Sequence, residues 1–145
     1  MLELDDNYFK EEERCGFKIP SMMKRVWAVE MDVLTHIDRI CMEYGLTYYA
    51  AFGTMLGAVR HNGFVPWDDD IDIAVLRKDY DRLIEILRKN KRIGEELEIS
   101  GYEVDKTDMP FLKVYNKSIA VKDNLAKDPS ELWIDIFPVS YTHLR

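Results

Sequence analysis

Asp68-Asp69-Asp70-Ile71-Asp72-Ile73-Ala74-Val75-Leu76 decides the fold of this 145-residue chain. From Asp70 onward the stretch alternates: Ile71, Ile73 and Val75 fall on one side, Asp70, Asp72 and Ala74 on the other. That period of two predicts a strand over Asp70–Leu76 with one apolar face. Asp68, Asp69, Asp70 and Asp72 crowd their charges, and two carboxylates ~4 Å apart repel by about 4 kcal/mol at an effective dielectric near 20. A solvated acidic turn would tolerate such crowding; a strand needs a counter-charge. The alternation sets Asp70 and Asp72 on one face with Cα atoms ~6.6 Å apart. Their oxygens can converge on a hard cation, Mg²⁺ or Mn²⁺, shared with a phosphate. A calcium loop does not fit, because Ile73 stands where that loop needs Gly and Asp79 where it needs Glu.

Working outward, Leu46–Phe52 is an apolar, aromatic run suited to a buried strand. Gly53-Thr54 breaks it, and Met55–His61 reads as a short helix stopped near Asn62-Gly63, before a turn with Pro66. Upstream, Met22, Met23, Val26, Trp27, Val33, Leu34, Ile37, Ile40, Cys41 and Tyr44 recur at helical steps. They predict a long helix with Ser21 as N-cap and Gly45 as stop. Downstream, Lys78–Asn90 is amphipathic, with Tyr80, Leu83, Ile84 and Leu87 inward. Strand candidates follow at Leu97–Ser100, Phe111–Tyr115, Ile119–Lys122 and Leu132–Phe137, the last ended by Pro138. The order predicts an α+β fold, a mixed sheet with helices packed on it. Residues 1–20 read as a flexible, loosely docked arm and 21–139 as the single domain.

Composition limits the function. Hydrophobic residues make up 47%, enough for a core, and 20 basic against 27 acidic residues leave a net charge of −7. That balance excludes a whole-chain footprint for nucleic acid or an anionic membrane. The two cysteines, Cys15 and Cys41, make no metal or disulfide framework and point to a reducing compartment. No run is long enough to cross a membrane and the first residues lack a signal pattern, so the expected location is the cytoplasm, without membrane insertion.

Further residues carry chemistry. Gly53 lets a ligand approach the backbone where a strand hands over to a helix. The free N–H groups there attract phosphate, and Thr54 can bond a phosphate oxygen. Asp135, between Trp133-Ile134 and Ile136-Phe137, reads either as an outward polar residue of an edge strand or as a third carboxylate. In the second case it is a metal ligand or the base for an acceptor hydroxyl. Arg60 reads as a cation at a helix C-terminus or as a phosphate contact. Trp67 reads as a packed core residue, as a wall that keeps water out, or as a stacking surface for a nucleotide base.

The run Gly53-Thr54-Met55-Leu56-Gly57-Ala58-Val59-Arg60-His61-Asn62-Gly63-Phe64-Val65-Pro66-Trp67-Asp68-Asp69-Asp70-Ile71-Asp72, with Trp133-Ile134-Asp135-Ile136-Phe137-Pro138, resembles the signature of the LicD family. That family includes phosphocholine transferases of bacterial surface glycans and is related to fukutin and fukutin-related protein. The resemblance runs from about Ser21 to Pro138. It implies a nucleotidyltransferase-like fold and a metal-dependent transfer of a phosphorylated alcohol, such as phosphocholine. The donor would be CDP-linked, such as CDP-choline. The acceptor would be a sugar hydroxyl of a lipopolysaccharide, teichoic acid or similar glycan. It also implies Asp70, Asp72 and Asp135 as metal and catalytic carboxylates, and Gly53 and Thr54 as the phosphate contact. Arg60 also matches the signature, as do Asp68 and Asp69, for which it assigns no role. Two other readings stand beside it: a nucleotidyltransferase that moves an NMP onto a small molecule, and a non-catalytic remnant that binds nucleotide or metal. Chains of that family continue well past Pro138. The expectation is therefore a C-terminally shortened domain whose residues 140–145 form an irregular tail or a sequence scar.

Overall fold

A computed structural model describes residues 3–90, 97–116 and 132–140. A 3₁₀ turn (Asp6–Phe9) precedes a hairpin of β1 (Glu12–Arg14) and β2 (Phe17–Ile19), and the long helix α1 (Ser21–Tyr44) follows. Next come β3 (Tyr48–Ala50), α2 (Phe52–Arg60), β4 (Asp72–Leu76) and α3 (Arg77–Lys89). The chain closes with β5 (Leu97–Ser100), a one-turn helix α4 (Tyr102–Asp105), β6 (Leu112–Asn116) and β7 (Trp133–Val139). The strand expected at Ile119–Lys122 and the tail beyond 140 lie outside the described residues.

The main sheet has the order β3-β4-β7-β6-β5. Only β4 and β7 run parallel; the other neighbours are antiparallel. The mixed α+β fold expected from the sequence is therefore what the chain adopts. Ile73, Val75, Leu112, Val114, Ile134 and Ile136 line one sheet face, each at most 1% exposed. They pack against Val33, Ile37 and Ile40 of α1 and Tyr80, Leu83 and Leu87 of α3. Period two in the strands and period 3.6 in the helices meet in that one layer of core.

Several boundaries move. Of the expected arm, residues 3–20 carry a hairpin packed on α1. The hairpin turns through Cys15 and Gly16, both at positive φ, and Ile19 is fully buried. Glu12 of the hairpin pairs with the buried Lys24 of α1 at 3.0 Å. Ser21 is the first residue of α1 rather than its cap; Pro20 holds the cap position, without a side-chain hydrogen bond. Met22 and Tyr44, expected inward, are 55% and 36% exposed, while Lys24, Glu30 and Asp32 of the same helix are buried. The strand expected over Leu46–Phe52 is confined to Tyr48–Ala50, and α2 begins at Phe52 instead of Met55. The strand expected from Asp70 begins at Asp72, where pairing with β7 starts.

Candidate active site

The site forms where β4 and β7 lie side by side. Their register pairs Asp72 directly with Asp135. Paired residues on adjacent strands point to the same side, with Cβ atoms ~4.5–5.5 Å apart. Ile134 and Ile136 face the helical layer, so Asp135 faces the opposite side with Asp72, as the alternation predicts. The main chain locks the pairing: Asp135 N–H donates to Ile71 O at 2.9 Å and Ala51 N–H to Asp72 O at 3.0 Å. Asp72 N–H donates to Thr54 Oγ1 at 2.8 Å, which ties the first turn of α2 to the start of β4.

Asp70 precedes the strand, so the two acids do not share one strand face. It sits in a turn fixed from below by α1. The indole of Trp27, 1% exposed, donates to Asp68 O at 2.8 Å and stacks on Phe64 with ring centres 4.6 Å apart. The position over Gly53 is taken by the Asp68 carboxylate, since a Cβ on Gly53 would run into Asp68 Oδ2. A side chain of the same molecule thus closes over the helix start in the space that Gly53 leaves, a role that neither the spacing nor the resemblance gives Asp68. Phe52, just before it, has φ +43°, which few non-glycine residues adopt. Its ring packs edge-on against Phe137 of β7 at 5.2 Å.

Charge accumulates here. Burial, then repulsion from Asp68, raises Asp72 above the usual carboxylate range. Burial pushes Asp135 up to about 6; Lys113 opposes the shift and Asp72 adds to it. Asp70 also rises to about 6, through lost hydration in the crowded turn, a hydrogen bond with Asp68 and the charges of Asp72, Asp68 and Asp69. Asp72 therefore stands between two acids that each feel its charge. Asp135 Oδ1 is buried with no hydrogen-bond partner. Among the described residues no three His, Cys, Asp or Glu side chains are gathered closely enough to hold a metal ion as they stand.

Two groups escaped the sequence reading. Glu30 of α1 is 3% exposed and its Oε2 has no hydrogen-bond partner. Burial first, then Asp70, Asp69, Asp68 and Asp135, push it up to about 10, so it is a neutral acid beneath the cluster. Its signal was a carboxylate at core spacing, three residues after Trp27. Lys113 of β6 pairs in register with Asp135, and its ammonium lies 3.5 Å from the centre of the Trp133 ring. Nothing local in the sequence marked it. Arg60, by contrast, ends α2 and its Nε donates to His61 Nδ1 at 3.4 Å. It lies ~10 Å along the helix from Gly53. Trp67 is 53% exposed, not a core residue, and meets Phe17 and His61 edge-on. Neither side chain lines the cavity that lies beside Gly53 and Asp70.

A cavity of about 510 Å³ opens between α1 and α2, lined by Met31, Leu34, Gly53, Thr54, Asp68 and Asp70 among others. Its size is that of a small-molecule site, and it joins the helix start to the acids. The family described as LicD/FKTN/FKRP, nucleotidyltransferase domain, matches residues 45–143, and the chain belongs to that family. It is similar to the lipopolysaccharide cholinephosphotransferase LicD of Haemophilus influenzae (strain ATCC 51907 / DSM 11121 / KW20 / Rd). The two are 27% identical over 107 residues, which are 74% of this chain and 40% of that protein. Over 49 residues it is 43% identical to uncharacterized proteins of Rickettsia prowazekii (strain Madrid E) and Rickettsia typhi (strain ATCC VR-144 / Wilmington). That match spans 34% of this chain and 18% and 16% of theirs. The chain thus spans well under half the length of these relatives. No described helix is long and apolar enough to cross a membrane.

Proposed function

We propose that this chain carries the catalytic centre of a cytoplasmic transferase that moves a phosphorylated alcohol from a CDP-linked donor to a hydroxyl of a cell-surface glycan. Phosphocholine is the group suggested by the Haemophilus relative's name. The observation that carries the reading is the register of Asp72 with Asp135 beside the start of α2. It supports the reading because two carboxylates side by side, next to a helix start that the Asp68 carboxylate covers at Gly53, suit a cation-bound diphosphate.

By donor chemistry the residues fit a divalent cation, although as they stand the three carboxylates are not gathered around one point. The donors are all oxygen, Asp135 Oδ1 lacks a partner, and the Asp72 charge adds to the upward shifts of both Asp70 and Asp135. Asp70, Asp72 and Asp135 would hold Mg²⁺ or Mn²⁺, which when bound offsets charge on the phosphoryl group being transferred.

The chain's own groups do the rest. The Thr54 hydroxyl accepts from Asp72 N–H and keeps its own hydrogen free to donate to a phosphate oxygen. Asp135 takes the proton of the acceptor hydroxyl as that oxygen attacks the alcohol-bearing phosphorus. The bond from that phosphorus to the oxygen of CMP breaks, and CMP leaves with the electron pair. Lys113, beside Asp135, opposes the upward shift that burial imposes and so favours the ionised state the base needs.

The test is CMP release from CDP-choline by the purified chain with Mg²⁺ and a lipopolysaccharide acceptor. Asp72→Asn and Asp135→Asn should each cut the rate by about 10²-fold or more. Turnover unchanged in either variant, or no CMP from the parent chain, overturns the proposal.

A further inference from the structure

A second cavity, of about 540 Å³, lies over β5 and β6 on the same side of the sheet as Asp72 and Asp135. Lys113 apart, its lining belongs to no part of the site described so far. Register places it. Ser100 pairs with Lys113, Lys113 with Asp135, and Asp135 with Asp72, so these four residues form one row across β5, β6, β7 and β4. A second row on the same face runs Glu98, Tyr115, Trp133. Ser100, Lys113, Glu98 and Tyr115 all line the cavity. Neighbouring strands are ~4.8 Å apart, so a ligand that touches Lys113 has Asp135 one strand away and Asp72 two.

The lining says what such a ligand is. Three carboxylates, Glu98, Asp105 and Asp108, outnumber the single ammonium of Lys113. The cavity at the start of α2 carries two carboxylates as well, but there Asp70 belongs to the proposed cation site, which offsets them. Here no such site does, and a formal charge of −2 repels a nucleoside diphosphate or any phosphate ester. The carboxylates are already fixed in place by hydroxyl donors: Tyr115 Oη donates to Glu98 Oε2 at 2.8 Å and Ser100 Oγ to Asp105 Oδ2 at 2.7 Å. Such paired groups retain lone pairs for further hydroxyl donors. Between them lie Met109 and the Tyr115 ring, which offer apolar surface. Alternating apolar faces and fixed acceptors suit a neutral ring bearing many hydroxyls.

We infer that this cavity is the acceptor subsite and takes a neutral sugar ring, whose reactive hydroxyl reaches past Lys113 to Asp135. The inference rests on the transferase reading for the role of Asp135, but the cavity and its charge are independent of it. The two cavities then divide the substrates. The one at the start of α2 takes the anionic donor, and the one over β5 and β6 takes the acceptor.

The test is amide NMR of the ¹⁵N-labelled chain with three probes: methyl β-D-glucopyranoside, glucose 6-phosphate, and CMP with Mg²⁺. The neutral glycoside should shift Ser100, Lys113 and Tyr115, and CMP should shift Gly53 and Thr54. Glu98→Gln should weaken the glycoside by about tenfold, the cost of losing a hydrogen bond to a charged group. Glucose 6-phosphate should bind these residues more weakly than the neutral glycoside. A glycoside that leaves them unshifted, that is indifferent to Glu98→Gln, or that is outcompeted by glucose 6-phosphate overturns the inference. A chain that binds the glycoside here but not CMP keeps the subsite and removes the transferase reading. The reverse result removes the subsite alone.

Discussion

The two faces of the main sheet are built from the same strands and do opposite work. Along β7, Ile134 and Ile136 are fully buried against α1 and α3, while Trp133, Asp135 and Phe137 between them point the other way and stay partly exposed. Along β4, Ile73 and Val75 face the helices, and Asp72 and Ala74 do not. One residue step separates a methyl group that stabilises the fold from a carboxylate that strains it. The closed face is optimised for burial. The open face carries repulsive acids, pushed to about 6, and an unpartnered carboxylate oxygen. Charges that cost stability and sit together on rigid strands are the mark of a site held ready for a ligand.

The closed face should break hardest. Ile136→Ala removes a fully buried side chain from a layer shared by both helices and leaves a cavity. We expect a loss of about 3–4 kcal/mol in urea unfolding. A loss below about 1 kcal/mol would show that the two faces are not as different as their burial implies.

The neighbouring position should move the other way. Because Asp135 is raised in the folded chain, its favourable contribution is complete only below the ordinary carboxylate value, 3.8. It is lost as the pH climbs through about 6. Above that, the ionised group costs stability. Asp135→Asn should therefore stabilise the metal-free chain by about 2 kcal/mol at about pH 8, with the gain shrinking toward about pH 4. Urea midpoints across that range in EDTA check it. Equal stability of variant and parent at every pH would mean that Asp135 is not strained by its neighbours.

How much of this could be read from the residues follows the same division. The closed face was legible because a core imposes a period: Ile71, Ile73 and Val75, and Tyr80, Leu83, Ile84 and Leu87, were assigned inward and are buried. The side that Asp135 faces was also legible, since alternation orients an acid once its strand is placed; that β7 lies beside β4 was not. The hairpin was not. Its strands are three residues long, and its turn uses Cys15 before Gly16, where Asn or Asp is the usual signal for two positive φ angles. The start of α2 was missed because no capping side chain marks it: Ala51 has none to offer and Phe52 enters through a left-handed backbone. Lys113 was invisible because its meaning comes from the registers of β6 with β7 and β5, which no local pattern encodes.

Thr54 carries the smallest expected effect and separates scaffold from chemistry most cleanly. Its Oγ1 accepts from the Asp72 amide at 2.8 Å, so the hydroxyl holds the open face in place before any ligand arrives. That bond leaves the hydroxyl hydrogen unspent, and the proposed donor phosphate would use it. Thr54→Val keeps the shape and loses both bonds; Thr54→Ser keeps both. Val should cost about 1 kcal/mol in unfolding because the Asp72 amide loses its acceptor, and Ser should restore most of it. CMP affinity measured with Mg²⁺ on the same two variants then divides the roles. If Val weakens CMP by about tenfold and Ser does not, the hydroxyl acts on the donor as well as on β4. If Val lowers stability but leaves CMP affinity intact, Thr54 belongs to the scaffold alone, and the phosphate is held by the main-chain N–H groups at the start of α2.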